Sequence, residues 1–212
     1  ALELYGIIKE IEAKFGHYFA EREMITMVYT SFFFRDYLLG RERKEERKQV
    51  YFGSTPGKVE IDALEHGILS FLGKDARTPI AAMAKALKAS SDTISFRIKK
   101  LEKANIIQHY LLQPDFTRLN QSSYKVLFML HNLSEQREKA LFSYCAMQPN
   151  IWFHSKSLGK WDLEINMDVD DANQFRKIMM EIKDKFSDVI KEYNTLQISK
   201  VHKFNFYPFN AK

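Results

Sequence analysis

Between Asp162 and Phe186 the apolar period changes from two residues to 3.6, and this switch constrains the fold more than any other feature of the chain. Leu163, Ile165, Met167 and Val169 alternate with Asp162, Glu164, Asn166 and Asp168, the pattern of a strand with one buried face. Phe175, Ile178, Met179, Ile182 and Phe186 then fall at helical spacing over 172–186, and Asp170-Asp171 reads as the helix N-cap rather than as an acid/base pair. Upstream, the pattern predicts a strand at 124–130 and a helix capped by Ser134, presenting Ala140, Leu141, Tyr144 and Cys145. A strand at 151–158 follows and turns at Gly159-Lys160 into 162–169. Downstream, a last strand is expected through Leu196 and Ile198 towards Phe206. The order β-α-β-β-α-β is that of a ferredoxin-like split βαβ.

Part of this unit occurs twice. IIKEIEAKFG at 7–16 aligns with IMMEIKDKFS at 178–187 at a constant offset of 171 (178 − 7), keeping Glu10/Glu181, Ile11/Ile182, Lys14/Lys185 and Phe15/Phe186. Both copies run on into aromatic-rich segments, MVYTSFFF and VHKFNFYPF. Residues 1–34 are therefore expected to be the closing helix and strand of an earlier, partial ferredoxin-like unit. The alternative is chance similarity of two amphipathic helices. The chain starts at Ala1 rather than Met, which reads as a trimmed chain. Next comes RERKEERK at 41–48 and GSTPG at 53–57, read together as a charged linker over 35–58. Its charge run is expected to be solvated, with a DNA-contacting arm as the alternative.

Three short helices are expected after the linker. Ile61, Leu64, Ile68, Leu69 and Leu72 share one side of 61–73, and Thr78 followed by Pro79 reads as N-cap and first residue of a helix over 79–87. The third is SSDTISFRIKKLEK, capped by Ser91 or Ser90. At 100° per residue, Ile94, Ile98 and Leu101 lie within about 60° of one another, while Asp92, Phe96, Lys99 and Lys103 point the opposite way. Within 85–103, six cations (Lys85, Lys88, Arg97, Lys99, Lys100, Lys103) meet two anions (Asp92, Glu102), a local excess of four. One face packs and the other is cationic. Such a face is often merely solvated. Two preceding helices with turns of helix-turn-helix length, and NIIQHYLLQPDF as a candidate β wing, favour DNA instead.

On that reading the hydroxyls of Thr78, Ser90, Ser91 and Thr93 contact phosphate near helix N-termini, Ser95, Phe96 and Lys99 reach base edges, and Lys100 and Lys103 contact phosphate. The net charge of +5 and pI of about 9.1 fit a polyanion partner without proving one. One cysteine, Cys145, excludes a disulfide framework, and the six histidines lack metal-ligand spacing, so no cofactor or metal is expected. No apolar run is long enough to span a membrane, and a cytoplasmic protein is expected.

Residues 61–107 resemble the head of the leucine-responsive and asparagine-synthetase regulators, the Lrp/AsnC family. Its signature stands here as Ile61, Asp62, Glu65, Ile68, Leu69, Leu72, Asp75, Ala76, Arg77, then Ser90, Thr93, Ile94, Arg97, Ile98, Leu101, Glu102, Asn105, Ile106 and Ile107. The resemblance covers roughly 59–206. It implies an α+β chain: a winged helix-turn-helix over 59–120, then a ferredoxin-like (RAM-type) effector and dimerisation domain over 121–212. The flanking half-unit resembles archaeal members that carry the pair twice. By this resemblance the partners are double-stranded DNA, a second copy in a homodimer or higher oligomer, and a small effector held near Gly159, Trp161 and Asp162. Lys88 stands at the usual turn glycine, Asn105 at the glycine before the wing, and Trp161 at the usual Tyr. A sirohaem-decarboxylase-like enzyme is the alternative with the same architecture. Those enzymes carry an arginine-rich wing, whereas Ile106-Ile107-Gln108-His109-Tyr110 stands here.

Overall fold

The computed structural model describes residues 2–39, 47, 49–53 and 59–207. In chain order it contains α1 (Leu2–Phe15), β1 (Thr26–Phe33), β2 (Gln49–Phe52), α2 (Ala63–Lys74), α3 (Ile80–Leu87) and α4 (Ser91–Lys103). Then come β3 (Ser122–Leu130), α5 (Glu135–Met147), β4 (Ile151–Leu158), β5 (Leu163–Val169), α6 (Ala172–Phe186) and β6 (Ile190–Ile198). Contacts group the chain into two compact units. One takes 1–52, 125–167 and 175–196, the other 53–124, 168–174 and 197–212.

The first unit is built on a sheet of order β2-β1-β4-β5-β3-β6. Its last four strands, read from β6, are the fourth, first, third and second of the β-α-β-β-α-β series, which is the ferredoxin-like arrangement. The α6 helix forms because its period and its cap agree. Asp171 accepts from Gln174 N (2.8 Å), and Ile178, Met179, Ile182 and Phe186 are all buried. Cys145 is buried as well, and burial pushes its thiol up to about 12, so it packs as a small apolar group.

The partial N-terminal unit does not stand apart. β1 pairs antiparallel with β4, from Thr26↔Leu158 to Phe32↔Phe153, and with β2 on its other side. The stretch expected as linker thus contains a four-residue strand. The same stretch carries Arg47, which is neither solvated nor an arm for DNA: it is buried and donates to the carbonyls of Cys145, Ala146, Gln148, Pro149, Ile151 and Phe34. The first four of those acceptors are the open carbonyl end of α5 and the turn after it, where a helix dipole favours a cation. The rest of the charge run, 41–46 and Lys48, lies outside the described residues.

Two expected elements come out differently. The final strand is Ile190–Ile198 and ends before Phe206. Beyond it Asn205 Oδ1 accepts from Tyr207 N, and Tyr207 packs on the core of the second unit, with its hydroxyl bonded to His66 Nδ1. No strand forms over 105–115, so the expected β wing is coil. Ile106 N and Ile107 N both bond to Leu101 O, folding the two isoleucines back onto the core of α2, α3 and α4 instead of offering a ladder.

Candidate nucleic-acid interface

The three helices of the second unit enclose Ile68, Leu69, Met83, Ala84, Ile94 and Leu101. α2 starts with a capping box: Asp62 accepts from Glu65 N (2.8 Å) while Glu65 Oε2 accepts from Asp62 N (3.1 Å). α3 starts differently from the expectation. Pro79, with extended dihedrals, is the N-cap, and Ile80 is the first helical residue. The Thr78 hydroxyl does not cap; it donates to Asp75 O (2.7 Å) and so tightens the α2–α3 turn. Between α3 and α4 the chain reverses at Lys88, whose φ of 53° is the left-handed conformation that glycine adopts without steric cost. Asn105 takes the same conformation at the end of α4 (φ 56°), which suits asparagine.

Ser90, not Ser91, caps α4. Its Oγ accepts from Thr93 N (3.1 Å) and lies 2.8 Å from Thr93 Oγ1, so these two hydroxyls engage each other at the helix start while Ser91 is exposed. Ile94 and Leu101 are buried, Ile98 and Ser95 half-buried. The opposite face is open: Phe96 is 66% exposed, and Lys99 and Lys103 are exposed without an ion pair among the described residues.

Lys100 and Arg97 behave differently from the other cations. Both reach back to the buried Glu65: Lys100 Nζ lies 2.7 Å and Arg97 Nη1 2.9 Å from Oε1, and Arg97 also lies 2.7 Å from Asp62 Oδ2. Burial would raise the Glu65 carboxyl, but the hydrogen bonds from Lys100, Asp62 N and Arg97 overcome it and hold it down at about 2. Asp62, Glu65 and Arg97 thus fix the angle of α4 against α2. Sequence reasoning did not single out Arg97 and Glu65 as site residues. The signal for Arg97 was present in the 85–103 charge count, where it is the one guanidinium among lysines and can hold two carboxylates at once.

The turn expected to hold an effector lies in the first unit. Asp162 is a brace: its Oδ2 accepts from Leu130 N (2.7 Å), its own N–H donates to Phe128 O and its carbonyl accepts from Ser157 N. Gly159 has φ 145°, and a Cβ there would meet Ile25 Cδ1 at 2.6 Å and Met24 O at 2.8 Å. The Trp161 indole N–H is buried with no hydrogen-bond partner. Among the described residues no group of three or more His, Cys, Asp or Glu could hold a metal, and no helix is long and apolar enough to cross a membrane.

Residues 61–108 match the model of a winged helix-turn-helix DNA-binding family. An uncharacterised HTH-type transcriptional regulator of Pyrococcus furiosus is 26% identical over 122 residues, 57% of this chain and 81% of that protein. The regulatory protein AsnC of Haemophilus influenzae is 48% identical over 48 residues, 23% of this chain and 32% of its own. Among solved structures, Escherichia coli AsnC superposes with a TM-score of 0.56 at 19% identity over 71% of this chain and 100% of its own. A transcriptional regulator of Neisseria meningitidis in complex with L-Met gives 0.59 at 17% identity, over 70% and 96%.

Proposed function

We propose that the chain is a winged helix-turn-helix transcriptional regulator of the Lrp/AsnC type, and that it binds double-stranded DNA sequence-specifically through α4 as a homodimer. The family is one of DNA-binding regulators, not of enzymes. The observation that carries the reading is the division of labour on α4. Arg97 and Lys100 are tied down to Glu65, while Phe96, Lys99 and Lys103 stand free on the far face. A lysine face that is merely solvated needs no such orientation; a reading helix does.

In this reading Ser95, Phe96 and Lys99 contact base edges, Phe96 by apolar contact with a thymine methyl. Ser91, Lys103 and the first-turn N–H groups contact phosphate. Thr78, Ser90 and Thr93 shape the helix starts and can still accept contacts at the backbone, and Lys100 serves phosphate only while leaning on Glu65. One short helix reads few base pairs, so the C-terminal domain pairs two copies to read two half-sites. The turn at Gly159, Trp161 and Asp162 is the proposed effector site, its support being the unpartnered Trp161 N–H, a donor a ligand oxygen could satisfy. A cytoplasmic location, as the resemblance to Lrp/AsnC regulators implies, is part of this reading.

The test is fluorescence-anisotropy binding to the upstream DNA of its own gene and to a shuffled duplex over a salt series, for wild type and Ser95→Ala/Lys99→Ala. Selective binding lost in the variant is the expected result. Weak binding, equal on both duplexes and untouched by the variant, would reject the reading; a haem titration would then test the decarboxylase alternative.

A further inference from the structure

Gly73 has no backbone reason to be glycine. It lies in the last turn of α2 with a helical rather than left-handed φ, where alanine would favour the helix. Space supplies the reason instead. A Cβ on Gly73 would lie 2.8 Å from Tyr207 Cβ and 2.9 Å from Asn205 Oδ1, with Tyr207 N at 3.5 Å. The glycine is thus the seat of a segment far away in sequence, and that segment belongs to the same compact unit as α2.

The segment is fastened to the helix at defined points. Asn205 and Tyr207 are half-buried and alternate with exposed Phe204 and Phe206. Asn205 Oδ1 accepts from Tyr207 N (2.8 Å), which fixes the bend that presents the tyrosine ring. That ring packs against the core of α2, α3 and α4, its centroid lies 6.0 Å from that of His66, and its hydroxyl bonds to His66 Nδ1. His66 and Gly73 are seven residues apart (73 − 66), two helical turns, so they share one side of α2. Asn205 and Tyr207 span that side. Holding an extended segment in one conformation costs backbone entropy at every residue, and the packed ring with its hydrogen bond offsets that cost.

At its other end α2 carries the carboxylates that hold α4. Asp62 and Glu65 both bind Arg97, and Glu65 also binds Lys100. A roll or slide of α2 along its axis would carry both carboxylates away from those cations. Contacts on Gly73, and on His66 beside Glu65, oppose that motion. We propose that Asn205 and Tyr207 clip α2 in place and that Tyr207 is thereby a positioning residue for α4, acting through Glu65. The DNA side of this proposal rests on the reading of α4 given above.

The test is a double-mutant cycle on the full chain, read by urea melts at pH 7, that combines Glu65→Gln with Tyr207→Ala. A tyrosine that only adds apolar packing gives additive losses, whereas one that positions the ion pairs makes the Glu65→Gln loss smaller, by roughly half, once Tyr207 is gone. Additivity would overturn the proposal. Gly73→Ala checks the seat while leaving every side chain of the clip intact. Its expected result is a lower thermal midpoint despite the better helix propensity of alanine, and a higher midpoint would show that the segment is not seated on α2 and would overturn the clip. Binding to the upstream duplex and to a shuffled one supplies the functional readout. Tyr207→Ala should lower the ratio of the two affinities and leave the salt slope unchanged, since no phosphate contact is lost, while Tyr207→Phe, which keeps the ring, should retain most of the ratio. An unchanged ratio in Tyr207→Ala would overturn the positioning role. A wild type that binds both duplexes alike would instead reject the reading of α4, and the cycle would still decide whether Tyr207 holds the Glu65 ion pairs.

Discussion

Glu65 couples the local start of α2 to the placement of α4, and its charge state is therefore a stability variable. Its folded pKa, about 2, lies below its ordinary value of 4.5. A carboxyl shifted down contributes stability that is fully present above about 4.5 and is lost as pH falls towards 2. Urea melts of the wild type should show this loss over that window. Glu65→Gln should be less stable by about 1–3 kcal/mol at pH 7, because a hydrogen bond to charged partners is lost, and the gap should close as pH approaches 2. A gap that stayed constant with pH would reject the ion-pair account. Lys88 gives an opposite expectation. A left-handed lysine is strained by roughly 1 kcal/mol relative to glycine, so Lys88→Gly should raise the midpoint of thermal unfolding. No rise would mean that the turn draws compensating stability from the Lys88 side chain.

Arg47 acts at the scale of an element. Its guanidinium closes the carbonyl end of α5 from a segment almost a hundred residues away in sequence, and packs over the Phe33 ring. Arg47→Ala strands several buried carbonyls and should cost about 2–4 kcal/mol, with early amide exchange at the C-terminal turn of α5 as the local signature. A surface-like loss below about 0.5 kcal/mol would show that water replaces the guanidinium. The sequence concealed this role, since Arg47 looks like its neighbours in RERKEERK and only the tertiary fold distinguishes it. β2 was invisible for a related reason: QVYF is too short for alternation to register. By contrast α6 was legible to its first and last residue, because period, cap and flanking turns agree. On the candidate site, the inward and outward faces of α4 followed from its period. The cap at Pro79 did not, because the Thr78 hydroxyl is turned to donate to Asp75 O instead of accepting from the first turn of α3. Nor did the folded-back Ile106 and Ile107, since apolar residues after a helix serve a strand or a core equally well.

At the scale of the whole molecule, the proposed DNA reading divides in two: the net charge of +5 would supply general attraction, and the base contacts of α4, multiplied by the spacing of two reading heads in a dimer, would supply selectivity. These two contributions separate experimentally. Each phosphate contact adds roughly one unit to the salt slope of binding, so Lys103→Ala should lower that slope by about one on operator and shuffled DNA alike. Spacing acts otherwise. If a dimer presents its two α4 helices on one side of the duplex, inserting about 5 base pairs between half-sites turns one of them away, and inserting about 10 restores it. The expected outcome is a loss of tenfold or more in affinity at the half-turn insertion and recovery at the full turn, at constant salt and with unchanged slope. Affinity that ignored the insertion would mean that each head binds alone, and pairing would then have to serve something other than reading DNA.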